Sequence, residues 1–385
     1  MPNSKTAHRR GNGDGSIYYN PTRGSWVVQY YVDGQRKTKY AKSKSEARDL
    51  LVKAQGMMIS GTYIDPSSMT LQSWMKIWFE EYMLGKRTPK TVEGHYNSMT
   101  NYIIPLIGRI KLKDLKGYHV QKMYNEISKT RSARSVQLVH ITLNVALKQA
   151  IMNDLISVNV TDKCVLPKHY PKKSRALTLE EQTAFVRLIR GHRYELIYLL
   201  SLYSGLRRGE AITLQWNDID LESLRIHINK TAARVKTINP QLGDSKTKII
   251  VKPPKSRSSE RVVPLAKQLV PLFKEHWKKS AEQRLALGPD FNPENYIFTD
   301  ESGSVLDGGY VSTVFHRLTK DLFEKPATAH TLRHTFVTRG AENGVSMKVM
   351  QELCGHSTID ITADIYTHVS DEFKEKEFAK INVIL

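Results

Sequence analysis

The stretch from Thr328 to Val369, TAHTLRHTFVTRGAENGVSMKVMQELCGHSTIDITADIYTHV, constrains the chain more than any other. It reads as two short helices with defined ends and a third helical segment ending near Tyr366. Thr328 can cap the first helix, which Asn343-Gly344 closes, and Ser346 can cap the second, which Gly355 closes. His330 and Arg333 are three apart and share one helix face. They fall in the first turn, where free backbone N–H groups and the macrodipole favour an anion. His356 and the phenol of Tyr366 arrive from the next segments. Together these groups point to chemistry on a phosphodiester. His330 and His334 also have metal spacing, but Thr331 stands where a zinc-protease helix carries glutamate, and Arg333 would repel a cation. No metal is expected.

The charge balance agrees with a polyanionic partner. The 385 residues carry 58 Lys and Arg against 38 Asp and Glu, a net charge of +20. That excess favours nucleic acid first and an acidic membrane second, beside the plainer reading of a solvated basic surface. No apolar run is long enough to span a membrane, and no signal peptide is expected. Two cysteines, Cys164 and Cys354, fit a reducing bacterial cytoplasm rather than a disulfide framework.

Upstream, Tyr194 to Tyr203 is a nearly all-apolar run that predicts a core helix. Ser204-Gly205 turns the chain, and Leu206-Arg207-Arg208-Gly209-Glu210 opens another helix, with Arg207 in its first turn. Glu210 can hold Arg207 by a bidentate pair; taken alone, an ordinary surface ion pair explains the spacing as well. Between Leu224 and Leu265, RIHINK, KTKIIVK and RVVPL read as strands, and the loop PPKSRSSE before the last of them carries Lys255.

These residues resemble the tyrosine recombinase (phage-type integrase) family, whose pattern is Arg, Lys, His-x-x-Arg, His or Trp, then Tyr. SGLRRGEAITLQWNDID matches its first-arginine motif, and Lys255-Ser256-Arg257-Ser258-Ser259 fits the context of its β-hairpin lysine. The resemblance implies catalytic roles for Arg207, Lys255, His330, Arg333, His356 and Tyr366, with Glu210 in support. It also implies DNA cleavage without metal or nucleotide cofactor. Tyr366 would attack a phosphate, the two arginines and His356 would bind its oxygens, His330 would be the base and Lys255 the acid.

The rest of the chain has the matching organisation. Residues 1–60 hold eleven Lys and Arg against four Asp and Glu, with strands expected at Ile17–Tyr19, Trp26–Val32 and Arg36–Tyr40 and a helix from Ser45 to Ile59. Asp33-Gly34 is a hairpin turn. Residues 1–62 resemble the AP2-like arm-binding domain of integrases, with Arg23, Arg36, Lys37 and Lys39 as DNA contacts. From Met69 the pattern is helical, with breaks expected at Gly85, Pro105–Gly108 and Gly117, and residues 67–160 resemble the SAM-like core-binding domain. Lys86, Arg87, Lys90, Lys129, Arg131 and Arg134 lie on its polar side as candidate backbone contacts. Residues 163–175 read as a basic linker, with Lys172 and Lys173 on DNA, before a mainly α catalytic domain, 174–385, with a small sheet.

The resemblance therefore implies a mobile-element integrase, from a phage or conjugative transposon, acting on core and arm sites of double-stranded DNA. A homotetramer on DNA and an accessory bending or excision factor follow from the same likeness. A type IB topoisomerase-like enzyme and a non-catalytic DNA-binding regulator are the alternatives. The apolar end Ile381–Leu385 packs either on its own domain or on a neighbouring subunit.

Overall fold

The computed structural model describes residues 15–32, 35–59, 68–170, 175–238, 241, 244–254, 257–356 and 358. It divides into two compact units, Met1–Lys86 with Gly94–Lys168, and Arg87–Glu93 with His169–Leu385.

The first unit opens with an antiparallel sheet of β1 (Ser16–Asn20), β2 (Ser25–Val32) and β3 (Gln35–Ala41), in that order. Asn20 makes the first turn by accepting the N–H groups of Thr22 and Arg23 on Oδ1. The turn expected at Asp33-Gly34 lies outside the described residues. Helix α1 (Lys44–Ile59) covers one face of the sheet, where Ala47, Leu51 and Ala54 bury against Val28 and Tyr30. Directly paired residues point to the same side of an antiparallel sheet. The pairs Val28–Lys39 and Tyr30–Lys37 therefore put Lys37 and Lys39 on the helix side, and Tyr31–Arg36 puts Arg36 on the open side.

Helices follow in the same unit, apart from Arg87–Glu93. α2 (Leu71–Trp78), capped by Thr70, runs into a π-helical turn at Phe79–Met83 and ends at Gly85, whose φ is +69°. α3 (Pro89–Ser98) passes through a second π turn, Met99–Ile103, into α4 (Ile104–Ile107). The break expected over Pro105–Gly108 falls at its far end, where Gly108 closes α4. Proline sits in the first turn of α4, directly after the widened turn, where its missing N–H is tolerated. Gly117 likewise starts α5 (Gly117–Ser128) rather than interrupting it. α6 (Ala133–Met152) buries Val136, Val139, Leu143 and Leu147, and its Ala146 carbonyl accepts the Trp74 indole N–H at 2.9 Å.

The second unit packs α7 (Leu179–Leu188), α8 (Glu195–Tyr203) and the short α9 (Arg208–Ala211) around one apolar core. Thr178 and Glu181 close a reciprocal capping box on α7. Two small sheets follow: β4 (Ile219–Asp220), β5 (Arg225–Ile228) and β8 (Arg261–Pro264) in the order β4-β5-β8, and β6 (Thr231–Lys236) with β7 (Thr247–Lys252). The expectation of three strands missed β4 and β6; in β6 only Val235 is buried, so no alternation marks it. Nor do β7 and β8 form a hairpin with each other. Ile228 pairs with Arg261 and Thr231 with Lys252, so β7 and β8 belong to different sheets. α10 (Val270–Leu287), α11 (Gly308–Thr319), α12 (Ala329–Glu342) and α13 (Met347–Cys354) complete the unit.

Phe185 on α7 sits at the centre of this core, fully buried, with the rings of Tyr198, Phe315 and Phe323 around it. Replacing it with alanine should cost about 3–5 kcal/mol in chemical denaturation, because the surrounding rings cannot collapse into the space. A loss under about 1 kcal/mol would mean that α7 is not packed as described.

Candidate active site

The site is built on the C-terminal end of α13. Ser346 caps the start of this helix and Gly355 ends it in the left-handed conformation, φ +60° and ψ +49°. A helix end leaves its last carbonyls without intrahelical partners. Here three consecutive carbonyls each receive an arginine from a different segment. Arg261 on β8 donates Nε–H to Leu353 O at 2.6 Å, Arg333 on α12 donates from Nη2 to Cys354 O at 2.6 Å, and Arg207 donates from Nη2 to Gly355 O at 2.8 Å.

Arg207 is the residue before α9, at its N-cap rather than inside its first turn. Glu210 binds it twice, accepting Nη1–H on Oε1 at 2.8 Å and the backbone N–H on Oε2 at 2.9 Å. The same carboxylate takes Arg261, from Nη1 at 3.2 Å and from Nη2 at 2.9 Å. Glu210 is 3% exposed, so the surface ion-pair reading fails. Burial alone would raise its pKa, but hydrogen bonding and charge from Arg261, then Arg207, outweigh it and hold the group below the usual carboxylate range. Arg208 points away, to Ser312 and toward Asp307.

Arg333 is 2% exposed. Its Nη1 donates to Gly205 O at 2.6 Å, and each of its terminal nitrogens carries a further N–H. Its position corrects one expectation: it lies beyond the first turn of α12 and is held by carbonyls, not by the helix N-terminus. Gly205 has φ +65°, and a Cβ there would come within 2.5 Å of Phe336. Gly355 is as restricted, with Ser258 O only 2.8 Å from where its Cβ would be. Ser258 is therefore in contact with the end of α13.

His356 follows directly and is 7% exposed. Burial, then the charges of Arg333 and Arg207, push its pKa down to about 3. His330 keeps open surface at the start of α12, yet desolvation by the surrounding protein, then His334 and the charges of Arg333, Arg207 and Arg208, push it down to about 4. Both imidazoles are therefore neutral at pH 7. His334 stacks edge-on against His330, 4.7 Å between centroids. Among the described residues no group of three or more His, Cys, Asp or Glu is placed to hold a metal.

Lys255, Tyr366, Lys172 and Lys173 lie outside the described residues. Of the other candidate DNA contacts, Arg23, Arg36, Lys86, Arg87, Lys90, Arg131 and Arg134 are all exposed. Lys90 pairs with Glu93 at 2.9 Å, and Arg23 lies over the ring of Tyr40. On the open face of the N-terminal sheet Arg36 bonds to Gln29, and Gln29 Nε2 donates to Tyr18 Oη at 3.0 Å.

Comparison with known proteins places this geometry. The model of the phage integrase family matches residues 175–372, and that of the phage integrase N-terminal SAM-like domain matches 70–128. A tyrosine recombinase XerC-like protein of Caldanaerobacter subterraneus is 30% identical over 362 residues, covering 90% of this chain and 91% of the relative. The chain belongs to the phage integrase family. An integrase of Streptomyces ambofaciens is 28% identical over 379 residues, covering 94% of this chain and 93% of its own. In fold, the chain is similar to the Tn1549 transposon integrase solved with transposon right-end DNA, at a TM-score of 0.66, 21% identity and coverage of 81% of this chain and 99% of that one. A lambda integrase tetramer on a Holliday junction matches at 0.57 and 19% identity, over 93% of this chain and 96% of that one. The architecture is thus the integrase fold, a small N-terminal sheet, a SAM-like helical domain and a mainly helical catalytic domain with small sheets. No described helix is long and apolar enough to cross a membrane.

One member of this integrase's site escaped the sequence reading. Arg261 stands in a basic stretch, RSSER, with nothing local to separate it from its neighbours. Its signal is long-range: the partners Glu210 and Leu353 are far off in sequence.

Neutralising Glu210 tests the arginine frame. Glu210→Gln should destabilise the protein by on the order of 3 kcal/mol at pH 7, because two arginines lose a buried counter-charge. The folded carboxyl titrates below the unfolded one, so wild type's margin is present above the ordinary glutamate pKa and lost as pH falls through the folded value. Denaturation curves should converge below about pH 4. A gap unchanged between pH 7 and pH 3 would contradict the assignment.

Proposed function

We propose that this integrase family member is a site-specific recombinase of a mobile element, cutting and rejoining double-stranded DNA through a 3′-phosphotyrosine. The observation that carries the reading is the convergence of Arg207, Arg333 and His356 on one helix end, with His330 in the same electrostatic neighbourhood.

In this reading the phenol oxygen of Tyr366 attacks the scissile phosphorus and the P–O5′ bond breaks. The phenol proton passes to His330, which is neutral at pH 7 and so free to accept it. Lys255 gives a proton to the departing 5′-oxygen. Arg207 and Arg333 donate to the non-bridging oxygens, where charge grows, and neutral His356 adds an N–H donor. The bond energy is retained in the phosphotyrosine, so the 5′-hydroxyl of another strand can reverse the step without a nucleotide or metal cofactor. The domain limits that suit this role are 1–62 for arm binding, 67–160 for core binding and 174–385 for catalysis. Arg23 and Arg36, on or beside the open sheet face, and the exposed Lys86, Arg87, Lys90, Arg131 and Arg134 would contact DNA; Lys37 and Lys39 would reach it only from the helix side. The assembly would be a homotetramer in the bacterial cytoplasm. The Tn1549 transposon integrase is a structural neighbour, an ICEBs1 integrase of Bacillus subtilis and an integrase of Staphylococcus phage L54a are relatives, and the transposon and phage names favour the mobile-element reading.

The test is covalent capture. Wild-type protein incubated with a random-sequence pool of nicked duplexes should yield a denaturant-stable adduct whose sequenced junction defines the site. Tyr366→Phe should give none, and Arg207→Ala or Arg333→Ala should slow adduct formation by about 10²–10³-fold. DNA binding without any wild-type adduct would favour the non-catalytic regulator. Relaxation of supercoils by wild type, with no exchange between paired sites, would favour the topoisomerase.

A further inference from the structure

The Arg261 side chain bonds to Glu210, Leu353 and Ser259, and the first two link it to the groups assigned to the phosphate. Its side chain is 7% exposed. One edge of the guanidinium holds both oxygens of Glu210, at 3.2 and 2.9 Å. The opposite oxygen valences of that carboxylate hold Arg207 by its side chain and by its backbone N–H. Nε caps Leu353 O, two residues before the carbonyl that takes Arg207 and three before His356. Nη1 also reaches Ser259 O, two residues back along the chain, at 3.1 Å.

We propose that Arg261 is a positioning residue for the cleavage step: it orients Arg207 through Glu210 and fixes the end of α13 against the phosphate. This rests on the recombinase reading above. The geometry leaves Glu210 shared between two guanidiniums, so removing Arg261 frees the carboxylate to rotate toward Arg207 and draw it off line. Reacting groups misplaced by about 1 Å lose on the order of a hundredfold in rate without losing the ligand. A lysine cannot replace it, since one ammonium cannot reach Glu210 and the two carbonyls together.

The experiment uses the full chain and two duplexes at the junction mapped by covalent capture, one with the natural phosphate and one with a methylphosphonate. Replacing a non-bridging oxygen by methyl removes the negative charge that Arg207 stabilises. On the natural phosphate, Arg261→Met should form adduct about 100-fold more slowly than wild type, with DNA affinity unchanged. On the methylphosphonate the deficit should shrink at least about tenfold, as it should for Arg207→Met. Arg261→Lys, if the methionine variant does not melt cooperatively, should show a smaller loss with the same dependence on substrate. Equal losses of either variant on both duplexes, or wild-type rates on both, would overturn the proposal. No wild-type adduct on either duplex would instead overturn the recombinase reading on which it rests.

Discussion

Everything in the catalytic unit depends on the way the last three carbonyls of α13 are satisfied. Leu353, Cys354 and Gly355 present acceptors that no helix can use, at the negative end of the helix dipole. Arg261, Arg333 and Arg207 each take one. A guanidinium as buried as Arg333 is tolerable only when its donors find acceptors, and the helix end supplies them without adding a negative charge. One carboxylate, Glu210, compensates two of the three cations. The centre therefore remains positive, as a site for phosphate must.

That surplus charge sets the state of the histidines. His330 and His356 are held neutral by desolvation first and then by the neighbouring charges, the arginines among them. Neutral imidazole is the form that can take a proton from a phenol. An incoming phosphate would offset the same arginine charges and move both groups upward. In the proposed reaction, binding of the anion would thus raise the basicity of His330 by Coulomb attraction at short range.

Much of this could be read from the residues. Caps and stops placed α12 and α13, because Ser346, Asn343-Gly344 and Gly355 act locally. The apolar run before Gly205 marked α8, and the spacing of Arg207 to Glu210 anticipated their pair. What could not be read is long-range. Arg261 meets Glu210 and Leu353 only when β8 is brought beside α9 and α13. The phase of Lys37 and Lys39 depended on which face of the sheet α1 covers, and the helix side proved to be theirs. The break over Pro105–Gly108 was legible, because Gly108 acts locally as the cap of α4, whereas the π turn before it has no composition of its own. β6 was hidden by small and charged side chains at positions that the fold leaves half-open.

The most direct test of the central claim is a structure of the full chain with a nicked duplex and orthovanadate, which takes the trigonal-bipyramidal geometry of a phosphoryl-transfer transition state. The account predicts vanadium bridging the Tyr366 phenol oxygen and a 5′-hydroxyl, with Arg207, Arg333 and His356 donating to its equatorial oxygens at the end of α13. Vanadate and duplex bound away from that helix end, or Arg333 still turned wholly to its carbonyls with no donor to the anion, would contradict it.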